Sequence, residues 1–247
     1  MKNIETPNGT KHIVAYLDIL GVEDSLSDNQ NKIINTLNFI CEITNKNINT
    51  LNQMEIFPKI KKHMFSDNIV FAQEIEGGVN EIQVFNFLLF ISLFLHNSLQ
   101  NGVLVRGGIT IGELFINENF VLGNALVRAY KLESQIAIYP RIVLDFDVFG
   151  WLSLIQLKEF SIPVGEDMIF YIDACHIIYK PKEKAINYQK IKEAILKTCK
   201  YKQDLRIVQK HLWLMSRFNE YCDLNNKPEF KINITKEYAD IPQLVLA

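Results

Sequence analysis

The chain has 247 residues and a formal net charge of −2, length enough for one large domain or for a catalytic domain with a helical extension. Hydrophobic residues make up 48% and charged residues 22%, so a substantial core can be buried. The lysines are scattered among compensating acids, which excludes the dense basic patch of a protein that grips a nucleic-acid backbone.

His12 to Leu17 is a short apolar run of strand formers that ends at Asp18. Ile19-Leu20-Gly21-Val22 follows, and Ser27 or Asp28 can cap a helix that runs to about Leu51, with Ile33, Ile34, Leu37, Ile40 and Ile43 at helical spacing. Ile56–Met64 and Asn68–Gln73 read as two strands joined by the turn Phe65-Ser66-Asp67. Gly77-Gly78 is a break, and a helix over Ile82–Leu99 comes next. Its most apolar part, Ile82 to Leu95, is about 14 residues against the ~20 of a membrane span, so a helix buried on a sheet is expected.

Val103–Ile111 reads as a strand containing Gly107 and Gly108, with Phe115–Leu122 as its hairpin partner. A helix follows over Ala125–Gln135, then strands at Arg141–Asp145 and Met168–Ala174. The last quarter, Tyr188 to Tyr221, is lysine-rich and helical, with Trp213 and Phe218 on its apolar side. This order predicts an α+β, ferredoxin-like palm with helices on one face of the sheet. The polar N-terminus MKNIETPNGTKH has no signal core, so a cytoplasmic, non-membrane protein is expected. Cys41, Cys175, Cys199 and Cys222 form no CxxC pair, which predicts reduced thiols rather than a zinc site.

Two acids carry the chemistry. A strand end beside a hairpin is where a rigid sheet places two carboxylates close together, and Asp18 and Asp67 occupy those two positions. Such a pair suits Mg²⁺ or Mn²⁺, hard ions that prefer oxygen ligands and share substrate phosphates. The backbone N–H groups of Ile19, Leu20, Gly21 and Val22, with the helix start behind them, are a candidate triphosphate cradle. His96, His176 and His211 have no spaced partners and are assigned no role.

The segments YLDILG (Tyr16–Gly21), FSDNIVF (Phe65–Phe71), VRGGITIGE (Val105–Glu113) and GNALVRAYKLE (Gly123–Glu133) occur in the order and spacing of a class III adenylate/guanylate cyclase catalytic domain. The resemblance spans about residues 12–175. More narrowly, the FSD turn, the RGG strand and YPRIVLD (Tyr139–Asp145) resemble the pyrimidine cyclases of bacterial Pycsar anti-phage systems. The resemblance implies a catalytic domain over residues 1–180 and a C-terminal helical extension over 181–247. It implies that Asp18, Asp67 and the backbone carbonyl of Ile19 bind two Mn²⁺ or Mg²⁺ ions. It also implies that the ribose 3′-hydroxyl attacks the α-phosphate and pyrophosphate leaves.

Several positions depart from the adenylate cyclase pattern. The adenine-reading lysine falls at His63 and its partner acid at Asn124, which disfavours adenine and suits a pyrimidine. The ribose-orienting asparagine falls at Val127, and the transition-state arginine at Lys131, which keeps the charge but loses the bidentate fork. Arg106 is a second candidate phosphate contact, weighed against a structural role in which Gly107 and Gly108 permit close approach at a subunit contact. The resemblance further implies a head-to-tail homodimer, with the metal acids from one chain and the base- and phosphate-reading helix from the other. The segment His211–Tyr221 would then brace that dimer or cover its own sheet. A nucleoside triphosphate is the expected ligand, cUMP or cCMP the product, and a cyclic-nucleotide-binding effector the downstream reader, without direct contact. The alternative is a cyclase-like module that binds a nucleotide without turnover; a diguanylate cyclase is disfavoured because FSDN stands where its GGDEF hairpin belongs.

Overall fold

A computed structural model describes residues 9–21, 30–53, 59–152, 167–175, 186–198 and 204–238. Strand β1 (Thr10–Ile19) is followed by α1 (Gln30–Gln53), β2 (Ile60–Phe65), β3 (Asn68–Glu74) and α2 (Glu81–Gln100). Then come β4 (Val105–Ile116), β5 (Val121–Leu122), α3 (Asn124–Gln135), β6 (Arg141–Leu144), α4 (Phe146–Phe149) and β7 (Tyr171–Asp173). Helices α5 (Tyr188–Thr198), α6 (Leu205–Leu224) and α7 (Ile234–Glu237) close the described chain.

The sheet order is β2-β3-β1-β4-β6-β7, with β5 paired to β4. All pairings are antiparallel except β4 with β6. Because β3 lies between β1 and β2, the first half is a split β-α-β unit. The central strand β1 is buried from Ile13 to Leu17 on both faces, which explains its unbroken apolar run.

One face of the sheet presents Ile13, Ala15, Leu17, Ile69 and Phe71 to a large core with α1, α2, α5 and α6. Helix α2 starts at Asn80, whose side chain accepts from the Gln83 N–H. It buries Val84, Phe87, Leu88, Ile91, Phe94 and Leu95, and Phe90 and Phe94 meet Phe71 edge-on at 5.0 and 5.4 Å. By length and composition α2 is the one described helix able to cross a bilayer; its burial identifies it as a core helix.

The other face presents Val14, Tyr16, Val70 and Ala72, and α3 covers part of it through Ala125 and Ala129. The helices therefore lie on both faces, where element order predicted one. A Cβ at Gly108 would lie 2.4 Å from Leu132 Cβ and 2.6 Å from the Ala129 carbonyl oxygen. The glycine is thus needed for close packing of α3 within the chain.

Three element boundaries differ from the sequence reading. Phe115 and Ile116 belong to β4 itself, and only Val121–Leu122 folds back on them. The strand expected from Met168 is three residues long, Tyr171–Asp173. The last quarter divides into α5 and α6, and both enter the large core through Ile191, Ile195, Val208, Leu214, Met215 and Phe218. The apolar stripe of His211–Tyr221 therefore covers the chain's own sheet. Cys41, Cys175 and Cys222 are free thiols. Cys199, His176, Val22, Ser27 and Asp28 lie outside the described residues.

Candidate active site

Strand register builds the site from directly opposed residues. Phe65 faces Asn68, Asn68 faces Asp18 and Asp18 faces Arg106, a row of four on the α3 side. Two residues further along, His63, Val70, Tyr16 and Gly108 form the next row on the same face. Asp18 thus lies inside β1, one position before its end, and Asp67 lies in the tight β2–β3 turn, where Ser66 takes a φ of 55°.

The two acids are tied together through the backbone: the Ile19 N–H donates to the Asp67 carbonyl at 3.0 Å. Asp67 Oδ1 accepts from Asn68 Nδ2 at 3.1 Å, and Asn68 Oδ1 accepts from the Tyr16 hydroxyl at 2.7 Å. Tyr16 and Asn68 therefore orient Asp67, a role the motif reading missed. The signal was available, because Tyr16 is two residues before Asp18 on one strand face and Asn68 directly follows Asp67.

Asp18 Oδ2 accepts from Arg106 Nε at 2.9 Å, and Arg106 Nη2 lies 2.8 Å from Glu133 Oε1. Glu133 is 3% exposed. Its carboxyl is pushed up, mainly by burial, with Asp18 and Asp67 adding to the rise and Arg106 and Lys210 opposing it. Tyr16 is pushed up to about 12, first by burial and then by Glu133, Asp18, Tyr130 and Asp67. Lys210 of α6 is lowered by burial and by Arg106, with Asp18 opposing. Three carboxylates thus create a negative field at one end of the sheet, countered within the chain by Arg106 and Lys210. Sequence reasoning assigned no part to Glu133 or Lys210, since neither distance along the chain nor helical phase reveals that α3 and α6 converge on β1.

The remaining expected residues are dispersed. Lys131, Asn124 and Val127 lie on the exposed side of α3, away from its buried residues Ala125, Ala129 and Glu133. One chain therefore does not bring Lys131 to Asp18 and Asp67. His63 is half-buried, 6.1 Å from the Phe65 ring, and makes no hydrogen bond among the described residues. Tyr16 stands 6.2 Å from Phe65 and 5.4 Å from Tyr130, so an aromatic wall borders the acids.

The expected phosphate cradle needs correction. The N–H of Ile19 is spent on Asp67 and that of Leu20 on the Leu104 carbonyl at 2.9 Å. Gly21 holds a left-handed φ of 81° that turns the chain out of the sheet. A cavity of about 340 Å³, lined by Lys11, Ile111, Phe146, Asp147, Gly150 and Trp151, takes in none of the expected site residues; Lys11 marks the far end of β1 from Asp18.

The donor set fits a hard divalent ion in kind: two carboxylates on one sheet end, oxygen ligands only. Among the described residues no group of three or more His, Cys, Asp or Glu side chains gathers as a ready-made metal cage. The ligand set would be completed by backbone and substrate oxygens.

No family model matches the chain, and no curated protein matches it. Among solved structures it is similar to the monomeric guanylyl cyclase domain of the RhoGC fusion protein from the aquatic fungus Blastocladiella emersonii. That likeness has 12% identity and a TM-score of 0.51, and covers 67% of this chain and 95% of that one. A monomeric double mutant of the same domain gives 14% identity and a TM-score of 0.50 over 66% of this chain and 94% of that one. At such identities the likeness is one of fold: the chain has the α+β fold of class III cyclase catalytic domains.

Proposed function

We propose that the chain is a nucleotidyl cyclase that converts a pyrimidine nucleoside triphosphate, UTP or CTP, to the 3′,5′-cyclic monophosphate and pyrophosphate. The observation that carries this reading is the pairing of Asp18 and Asp67 at one end of a cyclase-fold sheet, tied by the Ile19–Asp67 backbone bond. Asp18, Asp67 and the carbonyl of Ile19 would hold two Mn²⁺ or Mg²⁺ ions. Bound there, these ions neutralise the triphosphate and lower the pKa of the ribose 3′-hydroxyl.

The chain's own residues position and stabilise. The Tyr16–Asn68–Asp67 hydrogen bonds fix one carboxylate in place before substrate arrives. The 3′-hydroxyl gives up its proton to solvent as its oxygen forms a bond to the α-phosphorus, the bond from that phosphorus to the bridging oxygen breaks, and pyrophosphate leaves with the electron pair. Arg106 supplies positive charge beside the phosphates, and Lys131 of a second copy supplies more as charge develops.

The exposure of Lys131, Asn124 and Val127 on α3 supports a site shared between two copies. His63 and Asn124 would read the base, against the aromatic surface of Phe65 and Tyr130. The motif resemblance to Pycsar cyclases supports a cytoplasmic second messenger for an anti-phage effector. It also supports the division into a catalytic domain, 1–180, and a helical extension, 181–247.

A second reading is a nucleotide-holding module without turnover, favoured by the ion pair that engages Asp18 and by Val127 at the ribose-orienting position. Incubation with all four nucleoside triphosphates and Mn²⁺ separates the two. The first reading expects one cyclic pyrimidine product, lost in Asp67→Ala; thermal stabilisation by nucleotide with no product supports the second. Normal turnover by Asp67→Ala overturns the site assignment.

A further inference from the structure

We propose that Arg106 is a resident counter-ion of Asp18, and that Glu133 is the positioning residue that receives its guanidinium when a divalent cation takes Asp18. This rests on the reading of Asp18 and Asp67 as metal ligands.

One guanidinium stands between two carboxylates. Arg106 Nε donates to Asp18 Oδ2 at 2.9 Å, and Nη2 lies 2.8 Å from Glu133 Oε1. The two contacts differ in quality. The bond to Asp18 is an aligned hydrogen bond, whereas Glu133 Oε1 is buried and takes no aligned hydrogen bond. Arg106 is thus hydrogen-bonded to Asp18 and ion-paired with Glu133 at the same time, and the buried Glu133 acceptor still lacks an aligned bond. Such an acceptor is costly until it is properly paired.

The geometry holds that acceptor in place. Glu133 N lies 3.3 Å from where a Cβ on Gly108 would sit, and Leu132 and Ala129 press on the same glycine. Gly108 is two residues from Arg106 on the same strand face. Glu133 is therefore presented from a helix packed directly on β4, already 2.8 Å from the guanidinium it would receive.

A divalent cation and a guanidinium on one small carboxylate repel each other. Cation binding at Asp18 therefore has to displace Arg106. With Glu133 as receiver, the displaced charge stays paired and close to the place of the triphosphate. Without it, displacement leaves a guanidinium that is only 25% exposed in search of a partner. The empty site is in this way protected from two bare, adjacent carboxylates, and the loaded site inherits a positioned cation.

The test is titration of the full, nucleotide-free chain with Mn²⁺, with free ion followed by electron paramagnetic resonance. Arg106→Met removes the competitor and is expected to tighten Mn²⁺ binding about tenfold. Glu133→Gln removes the receiver and is expected to weaken it about tenfold. The double variant should match Arg106→Met within about threefold, because Glu133 acts only through Arg106. Thermal melting checks that each variant folds, and Arg106→Gln replaces Arg106→Met with the same expectation if the latter does not.

Binding by Arg106→Met no tighter than wild type overturns the proposal. So does a loss from Glu133→Gln that is equally large when Arg106 is absent, since that is a plain charge effect. Asp67→Ala separates the two levels. Undiminished Mn²⁺ binding by that variant overturns the metal-site reading itself; its loss leaves that reading standing whichever way the Arg106 and Glu133 variants fall.

Discussion

Tyr16 and Asn68 show how much of the site's geometry rests on side chains that hold Asp67 in place. The Tyr16 hydroxyl is buried among carboxylates and donates to Asn68, which in turn donates to Asp67. Tyr16→Phe keeps the ring packing and deletes the hydroxyl. It is expected to cost about 1 kcal/mol of stability, read by urea denaturation, and to weaken Mn²⁺ binding because Asp67 loses its orientation. His211 makes a different kind of prediction. It is 5% exposed on α6, and burial, with Lys210 adding, pushes its pKa from 6.5 down to about 4. The folded state therefore binds fewer protons than the unfolded chain between those values. Its contribution is complete above pH 6.5 and is lost as pH falls toward 4, on the order of 3 kcal/mol in total. His12 and His96 are lowered in the same direction. Denaturation of His211→Phe at several pH values should show a shallower acid slope than wild type; an equal slope refutes the assignment.

At the scale of elements, α3 is the part on which both the fold and the site depend. Its contact with β4 goes through the missing side chain of Gly108. Gly108→Ala is expected to displace α3, at about 1–3 kcal/mol of overpacking, and to move Glu133 away from Arg106. A lower melting temperature together with altered Mn²⁺ affinity is the combined signature. Helix α6 is the second such element. Phe218 is fully buried in the same core as α2 and the sheet, Trp213 stacks on Tyr139 at 5.2 Å, and Arg217 donates to the Tyr171 hydroxyl. Phe218→Ala is expected to cost about 3–5 kcal/mol. A single unfolding transition, with no separate melting of the C-terminal helices, should accompany that loss.

At the scale of the whole molecule, the sheet is covered on one face by α1, α2, α5 and α6 and on the other only in part by α3. The partly covered face carries Asp18, Asp67, His63 and the exposed rings of Phe65 and Tyr130. Lys131 and Asn124 sit on the outer side of α3. If the site is assembled from two copies, Asp67→Ala and Lys131→Ala should each be inactive alone. Mixed, they should regain about a quarter of wild-type activity per site, because random pairing of subunits leaves one of each heterodimer's two sites intact and makes heterodimers about half the population. Mixed variants that stay inactive, each still folded, refute the shared site.

Local pattern was enough to reveal the strands around Asp18 and Asp67, the helices α1, α2 and α3, and the placement of those two acids at one end of the sheet. Apolar periodicity and turn residues act over a few positions, and these elements are long or tightly bounded. The reading failed where distant segments compete. Phe115–Ile116 continue β4 past Leu114, the last residue paired with β1, and are held there by Val121–Leu122 folding back on them. The helices took both faces because β1 is apolar on each. The N–H groups of Ile19 and Leu20, free by local logic, are taken by Asp67 and Leu104. The junction of Asp18, Arg106 and Glu133 joins residues up to 115 positions apart in the chain. A contact of that range exists only once register and helix packing have set it, and no local spacing encodes either.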